Sequence, residues 1–202
     1  MAQRLPPTVV FIGRHDRQKG LDILLEAIPG IPADHAVFDI VGAGILADGA
    51  EQGQPSQPNL TFHGWLSRDR TIALLDQADA LVMPSRWDAA PIVALEAMRA
   101  GVAIIGSDRG ALPEMIGDKI GGQIFALNDP SSLATTLRSL DRRTIAAFGR
   151  QARQRWSDRY RSEQMNAVTC DGYDALLGSA ALATRDSVDA AASEGRMRRL
   201  AT

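Results

Sequence analysis

Three stretches of this sequence hold residues whose types and spacing could do chemistry. The first is Gly13-Arg14-His15-Asp16-Arg17-Gln18-Lys19-Gly20, set between an apolar run and a helical pattern. Arg14 leaves the end of the run and Lys19 stands just before the helix, so both can face one crevice. Two cations beside helix N-terminal amides suit a diphosphate, which needs charge and several donors together. Two solvated surface charges are the plainer alternative. Lys19 and Lys119 are the only lysines among 22 basic residues, and a lysine kept at position 19 of an arginine-dominated chain leans towards a site.

The second stretch is Pro84-Ser85-Arg86-Trp87-Asp88-Ala89-Ala90-Pro91, followed by Ile92-Val93-Ala94-Leu95-Glu96-Ala97-Met98. Pro91 fits the first position of a helix. That helix is apolar nearly all round, the pattern of a buried one, and a carboxylate in it needs donors. Arg99, three residues on, could pair with Glu96. Alternatively Glu96 accepts from a ligand's hydroxyl pair, such as that of a ribose. Asp88 is either a helix-entry acid favoured by the macrodipole or a ligand contact, and the two readings stand level. The third stretch, Phe62-His63-Gly64-Trp65-Leu66, could offer backbone groups and an apolar wall to a nucleobase; equally, Trp65 could pack between helices. Ser107–Glu114 could line the same pocket. Gly42-Ala43-Gly44 lacks the third glycine of the dinucleotide fingerprint and does not follow the first strand, which rules out an NAD reading.

The elements that must position these residues alternate along the chain. Strand-like runs occupy Thr8–Gly13, Ala36–Gly42, Asn59–Gly64, Ala80–Met83, Val102–Gly106 and Gly122–Phe125. Helical patterns occupy Leu21–Ile28, Ser67–Gln77 with a serine cap, Pro91–Ala100 ended by Gly101, Leu112–Ile116, Pro130–Leu140 and Thr144–Trp156. Apolar strands each followed by a helix predict a parallel sheet covered on both faces, and right-handed crossovers make it a single Rossmann-like, doubly wound α/β domain. Ligands of such sheets sit beyond the carboxyl ends of the strands, where all three stretches fall.

Composition sets the outer limits. The 202 residues are 45% hydrophobic and 23% charged, with a formal net charge of −2, as expected of an ordinary globular chain. That balance argues against general nucleic-acid or membrane-surface binding. One cysteine, Cys170, and three scattered histidines, His15, His35 and His63, leave no metal cluster legible, so no metal is expected. No apolar run reaches the length of a membrane span and no signal peptide precedes Thr8, which fits a cytoplasmic protein. The expected division is a domain over 1–178 and a flexible or helical tail over 179–202.

Taken together, GRHDRQKGLDILLEAI, FDIVGAG, LTFHGWLSRDR, ADALVMPSRWDAAPIVALEAMRAGVAIIGSDRGALPEMI and GGQIF resemble the C-terminal, donor-binding half of GT-B retaining glycosyltransferases of the family 4 type. The likeness runs from about Thr8 to Leu177 and includes a late aromatic stretch (Trp156, Tyr160, Tyr173). Its specific part is Pro84 to Glu114. The resemblance implies a nucleoside-diphosphate sugar (UDP-, GDP- or ADP-linked) as substrate, no separate cofactor and no metal. It places the diphosphate on Arg14 and Lys19. It gives Glu96 the ribose, and Asp88 the position of a glutamate that contacts the donor sugar. Gly13, Gly64, Trp65, Leu66, Ser85, Ala90, Pro91, Ile92, Val93 and Gly110 become donor-binding positions, the base lying against Gly64–Leu66.

Two departures accompany the likeness. Asp88 is one methylene shorter than the family's glutamate, and Ala111 replaces one glycine of a usual pair. A GT-B enzyme also places its reaction between two Rossmann-like domains, and Met1 stands only a few residues before the first strand. The expectation is therefore a catalytically incomplete chain: a shortened reading frame, or a partner to a separate acceptor-domain polypeptide. The resemblance further implies polysaccharide or glycolipid biosynthesis, with membrane association only through a partner or a lipid-linked acceptor. An alternative from another class is a non-catalytic nucleotide- or partner-binding module. A phosphorylase or sugar-nucleotide epimerase shares the fold, but the Asp88–Glu96 segment favours a transferase. Eight arginines between Arg138 and Arg161 flank an apolar face of Ile145, Phe148, Ala152, Trp156 and Tyr160, by default a solvated surface and alternatively one that docks the missing domain or an anionic membrane.

Overall fold

In the computed structural model, which describes residues 6–44 and 57–178, each β-branched run becomes a parallel strand. These are β1 (Thr8–Ile12), β2 (Val37–Val41), β3 (Leu60–Gly64), β4 (Ala80–Met83), β5 (Ala103–Ser107) and β6 (Gly122–Phe125). They form one six-stranded sheet in the order β3-β2-β1-β4-β5-β6. Burial follows that order. Every residue of the interior strands β4 and β5 is buried, whereas edge strand β3 is half-exposed along its length. An apolar strand without alternation is what a sheet covered on both faces requires.

The covering helices are α1 (Leu21–Ala27), α2 (Arg68–Gln77), α3 (Ile92–Ala100), α4 (Leu112–Ile116), α5 (Pro130–Ser139) and α6 (Arg142–Arg159). On one side of the sheet Leu24 and Ile28 pack with Phe11, Phe38, Ile105, Leu133 and Leu137 in a continuous core. Ile145, Phe148 and Ala152 of α6 are buried, as the apolar face predicted. The first unit closes at Asp158, one residue before the end of α6, and a second unit begins at Arg159. The second unit contains a helix over 162–178, on which Met165, Val168, Tyr173, Leu176 and Leu177 are exposed. The expected tail, 179–202, lies outside the described residues. Among the described residues, no helix is long and apolar enough to cross a membrane.

Several boundaries differ from the sequence expectation for local reasons. The first helix stops at Ala27 and closes as a 3₁₀ turn over Ile28–Gly30, because Pro29 has no amide to continue an α-helical ladder. Ser67 stands at the N-cap of α2, but its hydroxyl makes no capping bond; its carbonyl instead accepts from the Thr71 amide and hydroxyl. Pro91 is the N-cap of α3 and not its first helical residue. Its ψ is 116°, and its carbonyl receives the Ala94 amide. Helix α6 starts at Arg142, ahead of Thr144, because the Asp141 carboxylate accepts the Arg143 and Thr144 amides and the Thr144 hydroxyl. Those bonds to the anion hold the Asp141 carboxyl below its usual range.

Candidate functional site

In this strand order the connection reverses direction between β1 and β4, which opens a crevice at their carboxyl ends. A cavity of about 730 Å³ lies there. The loop after β1 supplies Gly13, Arg14 and Lys19; the loop after β4 and the first turn of α3 supply Asp88, Ala90, Pro91, Ile92, Val93 and Glu96. The loop after β3 and the start of α2 supply Trp65, Leu66, Ser67, Arg68, Thr71 and Ile72.

The two loops that flank the reversal are tied together. Lys19 donates from Nζ to Asp88 Oδ2 at 2.8 Å, and both side chains are largely shielded from water. The Lys19 amide is held by Asp16 Oδ1 at 3.0 Å. Arg14 pairs with Asp16 at 2.9 Å and donates to Gln18, whose own amide group donates to the Trp87 carbonyl. Outside the cavity, Arg86 grips both carboxylate oxygens of Asp22, at 2.8 and 2.7 Å, and the Arg17 carbonyl. The Arg86 guanidinium holds the Asp22 carboxyl below the usual carboxylate range, and Asp22 raises Arg86 in turn.

Asp88 is buried, and its backbone is braced from behind by Gly110 and Ala111, the Ala111 amide donating to the Asp88 carbonyl at 2.9 Å. Ser85 is buried as well, its carbonyl accepting the Ser107 hydroxyl at 2.6 Å. The ring of His15 lies between Phe11 and Phe62, with Nε2 enclosed and without a hydrogen-bond partner. Burial pushes its pKa below the ordinary value.

The cavity thus brings together all four residues expected to carry chemistry, Arg14, Lys19, Asp88 and Glu96, with Gly13, Trp65, Leu66, Ala90, Pro91, Ile92 and Val93. It does not include Gly64, Ser85 or Gly110, and the loop Ser107–Glu114 does not line it. That loop is a buttress to Asp88. Three further expectations are corrected. Glu96 pairs not with Arg99 but with Arg68, at 2.9 Å, because Arg99 lies exposed in the last turn of α3 whereas α2 brings Arg68 alongside. Helix α3 is not buried all round: Ile92 is 67% exposed and Glu96 reaches the cavity. Trp65 does not pack between helices; it lines the cavity with 76% of its surface exposed. Sequence reading missed Ile12, Val41, Gly42, Ser67, Thr71 and Ile72 of the cavity lining, and also its one unexpected charged residue, Arg68. Its one signal was its place at a helix start on the same sheet edge.

Comparison with known proteins gives a consistent family. Residues 6–142, more than half of the chain, match the family described as Glycosyl transferases group 1. Glycogen synthase of Mycobacterium tuberculosis is 30% identical over 176 residues, covering 83% of this chain and 42% of that protein. Among solved structures, HepE of Anabaena in complex with UDP-glucose superposes with a TM-score of 0.70 at 18% identity, over 84% of this chain and 49% of that one. The C-terminal domain of a group 1 glycosyltransferase from Francisella tularensis superposes with a TM-score of 0.66 at 19% identity, over 78% of this chain and 89% of that domain. The chain spans less than half the length of the curated relatives it matches. It belongs to the Glycosyl transferases group 1 family and has the fold of a GT-B C-terminal domain.

Proposed function

We propose that this chain binds the donor of a glycosyl transfer, a nucleoside-diphosphate sugar, in the cavity between the loops after β1 and β4. The observation that carries the reading is convergence: Arg14, Lys19, the first turn of α3 and Glu96 line one cavity at the point where the sheet reverses. HepE, whose structure contains UDP-glucose, shares this fold. A diphosphate would replace Asp88 as the partner of Lys19 and meet Arg14 and the first amides of α3, which have no intrahelical acceptors. Glu96, a carboxylate with side-chain exposure of only 19%, would accept from the ribose hydroxyls.

Transfer joins the anomeric carbon to the acceptor's nucleophilic atom, which gives up its proton, and breaks the bond between that carbon and the diphosphate oxygen, whose electron pair leaves with the diphosphate. The negative charge that develops there is stabilised by cations already fixed in place, so the proposed reaction needs no metal for that task. Asp88, freed from Lys19, lies beside the sugar-bearing phosphate and positions the sugar. The proposed outcome at the anomeric carbon is retention, as the resemblance implies. The acceptor site would come from a second Rossmann-like unit, in the same or another polypeptide, since the described residues form one such unit.

The test is titration of wild type and Lys19→Ala with UDP and GDP on one side and with uridine and guanosine on the other. A charge-assisted hydrogen bond to phosphate contributes about 1.5–3 kcal/mol, so diphosphate affinity should fall by about tenfold or more while nucleoside affinity stays within twofold. Equal losses for nucleoside and diphosphate would remove the phosphate role of Lys19.

A further inference from the structure

We infer that Arg68 and Trp65 form a base-selecting subsite that favours guanine, so that the donor is a guanosine-diphosphate sugar. The inference rests on the donor reading above and goes beyond it by naming the base. Its starting point is the pair Arg68–Glu96. The guanidinium sits 2.9 Å from the acid assigned to the ribose, yet its side chain is 74% exposed, against 19% for Glu96. It therefore reaches into the cavity from the mouth, and one contact to Glu96 leaves most of its five N–H donors available. A base is joined directly to the ribose, so a group bonded to the ribose acid from the loop after β3 stands within reach of the base edge.

The donors decide among bases. An arginine fork offers only N–H groups and matches two adjacent acceptors. Guanine presents O6 and N7 side by side; adenine sets an amino donor beside N7, and uracil has no second acceptor next to O4. Trp65 adds the second element. An indole with 76% of its surface exposed at the cavity wall is a stacking face without a partner, three residues before Arg68. Stacking on an aromatic face tolerates every base, and the larger purine gains more from it. Trp65 thus separates purine from pyrimidine, and Arg68 separates guanine from adenine.

The experiment is calorimetric titration of the whole chain with GDP, ADP and UDP, for wild type, Arg68→Gln and Trp65→Leu, each checked for its fold by circular dichroism. Both side chains are largely exposed, so both variants are expected to fold. Wild type should bind GDP about tenfold more tightly than ADP or UDP, the low end of what a bidentate contact discriminates. Arg68→Gln should bring the GDP to ADP ratio within about twofold. Because releasing Glu96 alters the ribose contact equally for all three nucleotides, the ratio, not the affinity, is the readout. Trp65→Leu should weaken GDP and ADP more than UDP. Equal binding of the three by wild type, or a GDP preference that survives Arg68→Gln, would overturn the inference and leave the donor reading standing. Binding of none of them would remove both.

Discussion

Gly110 offers the sharpest test of how the site acid is held. Its φ is +59°, and a Cβ added there would lie 2.2 Å from the Asp88 carbonyl oxygen, 2.8 Å from its nitrogen and 3.0 Å from its carbonyl carbon. Gly64 has nearly the same backbone, φ +63°, but nothing within 4 Å of an added Cβ. Alanine at either position incurs the left-handed penalty of about 1–2 kcal/mol. Only at Gly110 must backbone also move, and forced overpacking costs typically about 1–3 kcal/mol more. The difference between Gly110→Ala and Gly64→Ala therefore isolates the contact with Asp88. In a domain of this size about 1 kcal/mol shifts Tm by about 2–4 °C, so the two melting temperatures should differ by roughly 4–8 °C for a contact of about 2 kcal/mol. The clash would also drag Asp88 from Lys19, so Gly110→Ala should weaken nucleoside diphosphate binding more than nucleoside binding. Paired thermal melts by circular dichroism, followed by titration, measure both. Coincident melts for the two variants would refute the claim that the loop after β5 braces Asp88.

Two further outcomes follow from the loops around the cavity. Arg86→Ala removes the two-point contact to Asp22 and the bond to the Arg17 carbonyl; Asp22 is more than half exposed, so screening limits the loss to about 1 kcal/mol, a Tm drop of about 2–4 °C at pH 7. Since the folded Asp22 carboxyl lies below its usual 3.8, its share of the stabilisation is present above that pH and fades as pH falls through the lowered value, so the gap between the melts of wild type and variant should narrow in acid. A gap that does not narrow in acid would assign the effect to the Arg17 carbonyl bond and packing instead. His15 works in the same direction for a different reason: burial lowers its folded pKa, so the unfolded chain takes up a proton first, and stability should fall as pH drops below about 6.5. His15→Leu should flatten the Tm curve between pH 7.5 and 5.5; parallel curves for the two proteins would show that His15 does not titrate there.

The parts of the fold legible in the sequence were those set by local pattern. ALVM at 80–83 and VAIIG at 102–106 have no polar residue to place outward, and both became strands buried along their length, the second shifted by one residue. Arg14 and Lys19 were legible because any loop after a strand of such a sheet faces the crevice. Pro91 misled by one residue because a proline's fixed φ suits both the cap and the first turn; ψ, which sequence does not fix, separates them. The partner of Glu96 was out of reach for a stronger reason. An i,i+3 neighbour on the same helix is visible in sequence, whereas Arg68 stands 28 positions away, and its proximity depends on how α2 lies against α3. Trp65 was ambiguous because an indole serves packing and binding alike, and only its exposure decides.

The pairing pattern shows how a chain of net charge −2 can hold the anion site proposed above. In the cavity each acid is already matched with a cation from another segment, Asp88 with Lys19 and Glu96 with Arg68. A buried carboxylate left alone would be destabilising, and these pairs remove that cost in the unliganded protein. They also change what binding means. A bare cluster of cations captures any anion through its field, and such capture weakens steeply with salt. On the proposed reading a ligand must exchange with Asp88 for Lys19 while it brings hydroxyls to Glu96, whose contact to Arg68 can persist. A phosphate alone would take Lys19 and leave Asp88 unpaired; a nucleoside alone would satisfy Glu96 and leave Lys19 where it was. On the proposed reading the arrangement therefore favours a molecule that also brings hydroxyls to Asp88, which a nucleoside-diphosphate sugar does and a nucleoside diphosphate, a phosphate or a nucleoside does not.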